Sequence, residues 1–564
     1  MYQLKRLVSQ GPSPAYTAVP TDNTTSPLLA PQDDEPAFPD RPNYRPRPRW
    51  RRVATLSLIT VVLLGCMAAV AVFTAGPRKS DKSVPSSPQY VPPASTPETE
   101  YVPEKSPTTD EDISDPVTAA RVSLEALVSR QSRTLKQAAA RYTLKAGRAP
   151  PRNYDKWFTF AREHKCLIDE YDLIIRDFEP WAQVARKHPK HFKEMIARGR
   201  ELMRKDSAGM DTIGIKNGTV VMPSYTGTSF DGDWPRTVGR FAHFLPDMEF
   251  LLNGRDEPRV VFDVRKPGAL ESAIQLKDTN PFHVSPRPTS DFFKDKSGCS
   301  PLSADKGFGM DGSADIAFLR SSSSSDFTTD LWPLLSMTKI SPCFSDILYP
   351  GQYFYDDSWW SGSFAFSNNV KWEDKLDKIY WRGMSNGGHI IGDNYRRFPR
   401  FRLIDMARNN SDILDVRMTQ FAETHCTTNC DRSGIIAEYN IGPPADPKEN
   451  IYKYKYLLDV DGNTFSGRFL GLLKSGSLVF KSTAFDEYFN HWLRPYEHYI
   501  PVRPDLSDLM EKVRWAMNNQ NEARRIQESG KLFTETVISD AQNDCYFALV
   551  LLEWARLEKI ADEP

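Results

Sequence analysis

YKYLLDVDGNTFSGRFLGLLKSGSLVFKS, residues 454–482, is the stretch that decides the fold. It reads as a strand, a tight polar turn, a short helix and a second strand, the pattern of a βαβ unit in a parallel sheet. The turn holds Asp459, Asp461, Gly462, Asn463, Ser466 and Gly467, and Arg468 opens the helix. The first turn of a helix presents unpaired N–H groups and the positive end of the dipole, so anions settle there. A guanidinium beside it adds a planar charge suited to two phosphate oxygens. The spacing therefore fits a nucleotide-diphosphate site at the carboxyl end of a strand. It fits equally an ordinary βαβ unit with a surface arginine, because no strict phosphate-loop pattern is present.

Upstream, DKIYWRG from Asp377 reads as a strand ending in Arg382–Gly383, followed by the glycine-bearing loop MSNGGHIIGDN. A helix carrying Arg396, Arg397, Arg400 and Arg402 comes next, then the strand ILDVRM at 413–418. Strand, glycine loop, basic helix, strand is a nucleotide half-domain, or a solvated basic helix face beside an ordinary sheet. Further upstream, MEFLLNG reads as a buried strand following a helix, and RDEP as the loop at its carboxyl end. Loops at that end of strands carry the chemistry of α/β sheets, which singles out Asp256. A loop aspartate paired with its neighbour Arg255 is the plainer reading. After Ser482, HYIPV reads as a strand and three helices follow, over 506–517, 523–533 and 540–561, the first capped by Asp505.

The chain has 564 residues, 43 of them proline, and a net charge of −1. Bulk charge gives no argument for a nucleic-acid partner. Residues 1–52 are polar, without apolar periodicity, and are expected to be disordered. Residues 53–75 are 23 uncharged residues, enough for a membrane-spanning helix. Arginines dominate its N-terminal flank, so the tail is expected in the cytosol and the rest across the membrane. A Pro/Ser/Thr/Glu spacer occupies 76–115. This layout is that of a type II single-pass Golgi enzyme, though a receptor or adhesion protein shares it. One helix is expected from Val117 to about Lys145, stopped by Pro150–Pro151. Cys66 lies in the apolar segment. Cys166, Cys299, Cys343, Cys426, Cys430 and Cys545 lie beyond it, an even number that suits disulfides in an oxidising compartment, with fifteen pairings open. Asn217 and Asn409 begin glycosylation sequons on the expected lumenal side; Asn23 begins one on the cytosolic side.

LPDMEFLLNGRDEP, KIYWRGMSNGG, the arginine-rich helix, YKYLLDVDGNTFSGRFLGLLKSGSLVF and HYIPVRPDLSDL, in that order, resemble glycosyltransferase family 90, over roughly 150–560. The resemblance implies an α/β fold of GT-B type, two Rossmann-like domains facing across a cleft. These would be an acceptor-side domain over 116–370 and a UDP-sugar-binding domain with C-terminal helices over 371–564. It implies inverting transfer of xylose or glucose from a UDP-sugar to a hydroxyl of a glycan, glycolipid or protein, with no cofactor beyond the donor. Asp256 matches the family's general base, which takes the acceptor proton. Arg468 matches the arginine on the diphosphate. Ser466, Gly467 and Phe469 match the same turn, Arg382, Gly383 and Ser385 the WRGS-type loop, and Arg400 a second donor-side arginine. Met384 stands where the family usually has serine, with Ser385 one place later. Asp459 and Asp461 also resemble the metal-binding aspartates of GT-A transferases, a reading the family resemblance disfavours. A non-catalytic binding protein of the same fold is the remaining alternative.

Overall fold

The computed structural model describes residues 115–205, 210–222, 234–265, 267–274, 283–284, 326–328, 330–341, 344–355, 370–388, 390–423, 426–443 and 446–562. The tail, the apolar segment 53–75, nearly all of the spacer, Cys66, Cys299 and Cys343 lie outside these residues. Among the described residues, no helix is long and apolar enough to cross a membrane.

The expected opening helix is two. Helix α1 covers Pro116–Ser129 and α2 covers Leu135–Ala146. The break has a local cause. Thr134 caps α2 by accepting from the Gln137 N–H, and Gln131 turns inward to accept from the N–H groups of Ile168 and Asp169. Helix α2 stops at Gly147, in the left-handed region at φ 63°, three residues before the prolines. Helices α3 (Tyr154–Glu163), α4 (Asp172–Lys187) and α5 (Pro189–Lys205) follow.

The first sheet contains β1 (Met210–Lys216), β2 (Thr219–Val221), β3 (Met248–Asn253), β4 (Leu335–Ser336) and β5 (Ile347–Leu348), in the order β2–β1–β3–β4–β5. It is mixed: β1 runs antiparallel to β2 and β3, while β3, β4 and β5 are parallel. The continuous apolar run of β3 reflects burial on both faces, since Phe250, Leu251 and Leu252 are fully covered. The segment before β3 forms two 3₁₀ turns, Val238–Arg240 and Ala242–Phe244, in place of the expected helix.

The second sheet is wholly parallel. Strands β6 (Leu376–Met384), β7 (Leu414–Gln420), β8 (Tyr454–Val460), β9 (Leu478–Ser482) and β10 (Ile500–Val502) lie in the order β7–β6–β8–β9–β10. Helix α6 (Pro399–Arg408) joins β6 to β7, α7 (Arg432–Tyr439) precedes β8, and α8 (Phe469–Lys474) crosses from β8 to β9. The opening stretch is thus the βαβ unit it reads as, with Tyr456 opposite Leu478 and Val460 opposite Ser482. Strand β8 runs one residue beyond Asp459, which lies inside the sheet and not in the turn.

Helices α9 (Leu509–Asn518), α10 (Gln520–Thr536) and α11 (Asp540–Asp562) end the chain. The residue before α9 is Asp508, not Asp505. Leu506 takes φ 61°, and the Asp505 carboxylate accepts from Ser507 N–H within the preceding turn. The ends of the chain cross over. Helix α1 lies on α10, and α11 packs against α3, α4, α5 and β3 of the first half. Residues 545–552 of α11 are all buried, which explains a stretch apolar on every side. Cys545 is disulfide-bonded to Cys166, and the Trp157 indole N–H donates to the Cys545 carbonyl at 2.8 Å. The two-residue strands Thr338–Lys339 and Asp486–Glu487 pair antiparallel, joining the two halves by backbone.

Candidate active site

In the second sheet the chain goes from β6 to β7 on one side, then crosses to β8 on the other. The loops leaving β6 and β8 therefore diverge, and the crevice between them is the topological switch point where ligands of such sheets bind. The loop after β6 is residues 385–388. The turn after β8 is residues 461–468.

Gly387 holds the two loops together. Its backbone sits at φ 113°, and its N–H donates to Asn463 Oδ1 at 3.4 Å. Ser385 is buried; its N–H donates to the Gln420 carbonyl and its hydroxyl accepts from the Ala422 N–H at 2.8 Å. Arg400 is buried too. Its guanidinium donates to the carbonyls of Met384 (2.9 Å), Asp461 (3.1 Å) and Val460 (3.5 Å), stitching together the carboxyl ends of β6 and β8. Arg382 stacks over Tyr380 and is ion-paired with Asp415 and Asp446. Burial works against the Asp415 charge, but hydrogen bonds from Tyr454 and Arg382 prevail and hold its carboxyl below the usual range.

Arg468 reaches across the crevice to β6, where its Nη1 donates to the Arg382 carbonyl at 2.7 Å. Ser466 is buried, and Gly467 and Arg468 are partly exposed. Phe469 is core: its ring meets Tyr499 edge-on, and the Lys481 ammonium lies 3.8 Å from its centroid.

Below the turn lies a buried charge cluster. Lys481 Nζ is 3.0 Å from Glu487 Oε2 and 3.5 Å from Asp459 Oδ2, and Asp461 Oδ2 accepts from the Ala484 N–H. Burial pushes the Asp461 carboxyl up to about 8 and that of Glu487 up to about 7. Asp459 and Asp461 thus face internal partners, and among the described residues no three metal-ligating side chains gather.

Asp256 sits partly buried in the loop after β3. Asn253 shapes that loop. Its side chain accepts from the Arg255 N–H and donates to the Glu257 carbonyl at 2.6 Å. Buried Asp346 fixes the far end through the N–H groups of Arg259 and Val260. The contact that brings this loop to the turn after β8 is Tyr353. Its hydroxyl lies 3.3 and 3.4 Å from the two Asp256 oxygens, and its ring packs edge-on against Phe465. A Cβ on Gly467 would come within 3.2 Å of that ring, so glycine lets the turn lie close against it. The structure thus brings Asp256 and the Phe465–Gly467 turn to one tyrosine, with Arg468 next in the chain, while the Arg382, Ser385, Arg400 and Phe469 side chains lie in or behind the sheet. Nothing in the periodicity of GQYFYDD marks Tyr353, whose partner lies 97 positions away.

Both expected sequons are exposed: Asn217 in the β1–β2 turn and Asn409 at the end of α6. Cys426 pairs with Cys430 in a short loop bonded alongside Ile390.

A wholly parallel sheet joined by helical crossovers, with glycine loops and an arginine at its switch point, is an α/β domain of Rossmann-like topology. Residues 358–563 match Glycosyl transferase family 90, and the chain carries a domain of that family. Among similar proteins, "Protein O-glucosyltransferase 2" of Danio rerio is 33% identical over 190 residues, covering 33% of this chain and 34% of the relative. "Protein O-glucosyltransferase 3" of Homo sapiens is 27% identical over 194 residues, 34% of each chain. "Protein O-glucosyltransferase 1" of Homo sapiens is 26% identical over 244 residues, 40% of this chain and 57% of the relative. The chain spans about a third of the length of the first two.

Proposed function

We propose that the chain is an inverting glycosyltransferase that moves glucose or xylose from a UDP-sugar to a hydroxyl of a protein, glycan or glycolipid acceptor. The observation that carries this is the Tyr353 bridge, which sets a loop carboxylate beside the arginine-bearing turn of a family 90 domain. Asp256 accepts the acceptor's hydroxyl proton as that oxygen bonds to C1 of the sugar. The C1–O bond to UDP breaks with inversion, and the electron pair leaves on the diphosphate. Arg468 and the N–H groups of the turn stabilise that charge. Arg382, Gly383, Ser385 and Arg400 shape the donor side from behind. The two halves act as the acceptor and donor domains of a GT-B enzyme, and no divalent ion takes part. Relatives named for O-glucosyl transfer make UDP-glucose the first donor to try.

We place the catalytic part in the Golgi lumen, anchored by residues 53–75 as a type II protein. The Cys166–Cys545 and Cys426–Cys430 disulfides and the exposed sequons at Asn217 and Asn409 support an oxidising, glycosylating compartment.

The test is UDP release by the fragment from residue 115 onward, with a panel of UDP-sugars and acceptors, with and without EDTA. Turnover with one donor, unaffected by EDTA and lost in Asp256→Asn, is expected. Wild-type binding of UDP without turnover on any acceptor would make the chain a binding protein instead.

A further inference from the structure

The loop that carries Asp256 is gripped at both ends, and the two grips meet in one hydroxyl. Asn253 holds the start of the loop through the Arg255 N–H and the Glu257 carbonyl, and Asp346 holds its end through the N–H groups of Arg259 and Val260. Between them stands Ser336, the last residue of β4. Its Oγ donates to Asp346 Oδ1 at 2.6 Å and accepts from Asn253 Nδ2 at 3.2 Å. Asn253, Ser336 and Asp346 are all fully buried.

The same segment reaches the other half of the molecule. Two residues on, Thr338 Oγ1 donates to the Asp486 carbonyl at 2.9 Å, and Thr338 lies opposite Glu487. Glu487 faces Lys481 beneath the Arg468 turn. Lys339 Nζ closes the segment back onto the Asp346 carbonyl at 2.9 Å. Residues 335–339 thus run from the support of the Asp256 loop to the support of the Arg468 turn.

We infer that Ser336 is a positioning residue for the transfer reaction, its hydroxyl setting where the Asp256 carboxylate stands against the Arg468 turn. This rests on the general-base reading of Asp256 and deepens it. A base must lie within hydrogen-bond reach of the acceptor hydroxyl, and a displacement of about 1 Å costs up to about 100-fold in rate. A hydroxyl suits the post because it donates and accepts at once. Alanine removes both bonds and leaves the backbone pairing of β4 in place.

The experiment compares full-length wild type, Ser336→Ala, Asp256→Asn and the double variant. It measures UDP release from UDP-glucose with water as acceptor, UDP affinity by calorimetry, and thermal unfolding. Ser336→Ala is expected to lower kcat by about 10- to 100-fold with UDP affinity unchanged. In the Asp256→Asn background it is expected to lower kcat no further, because the group it positions is already gone. An unchanged kcat in a folded Ser336→Ala protein overturns the inference. So does an equal fall in both backgrounds, or a parallel loss of UDP affinity, since either makes Ser336 a structural residue only. A wild type that releases no UDP, or an Asp256→Asn variant as fast as wild type, overturns the general-base reading and the inference with it. If Ser336→Ala does not fold, Ser336→Cys, which keeps the bulk and weakens both bonds, carries the same readouts.

Discussion

Asp256 and Arg468 stand out in the sequence because each follows an apolar run at the carboxyl end of a strand, where chemistry gathers. What surrounds them does not stand out, because it is built from contacts across distant positions. Tyr353 touches both Asp256 and the Gly467 turn. Tyr353→Phe keeps the ring and removes the hydroxyl, so turnover is expected to fall several-fold with UDP binding retained, read as kcat against donor affinity. Asp256→Asn is expected to lower kcat by about 10²–10⁴ while leaving UDP binding intact. Arg468→Ala is expected to weaken UDP binding by about 10- to 100-fold, the range for a lost charge-assisted hydrogen bond. Arg382, Arg400 and Phe469 show the limit of pattern reading. The resemblance to family 90 marks them, but side-chain direction is decided by neighbours such as Asp415, the Val460 carbonyl and Tyr499. Asp461 gives a pH signature. Its folded pKa, about 8, lies above its ordinary value of 3.8, so the folded state holds the extra proton between them. That contribution is complete at low pH and is lost as pH rises through about 8. Thermal unfolding at pH 5 and pH 8.5 is expected to show a smaller drop for Asp461→Asn than for wild type.

Among the elements, the strands of the second sheet were readable from the sequence, because strands covered on both faces are apolar runs bounded by glycine and polar turns. The first sheet is less so: periodicity does not reveal that β1 runs antiparallel to β3. The split of the opening helix depends on Gln131 bonding to Ile168 and Asp169, which no local pattern contains. Strand β9 carries the least expected device, a lysine inside a hydrophobic sheet. Lys481 is the cation facing Asp459 and Glu487, and all three are buried. Lys481→Met would leave those carboxylates buried without it. A destabilisation of about 3–5 kcal/mol is expected, measured by denaturant unfolding. UDP affinity of the surviving folded protein should fall with it, since the cluster underlies the Arg468 turn.

Across the whole molecule, α11 stands at the end of the sequence and in the middle of the first half's core. Cys166→Ser with Cys545→Ser is expected to destabilise the protein by about 2–5 kcal/mol, seen as a lower Tm that reductant shifts less than it shifts the wild type. The same bond has a topological consequence. Cys166 and Cys545 are 379 positions apart, so one covalent ring encloses both sheets, the Asp256 loop and the Arg468 turn. A single proteolytic cut anywhere in that ring opens it without releasing either piece. A nicked molecule would run as one species on a non-reducing gel and as two after reduction, and could keep its activity between the two.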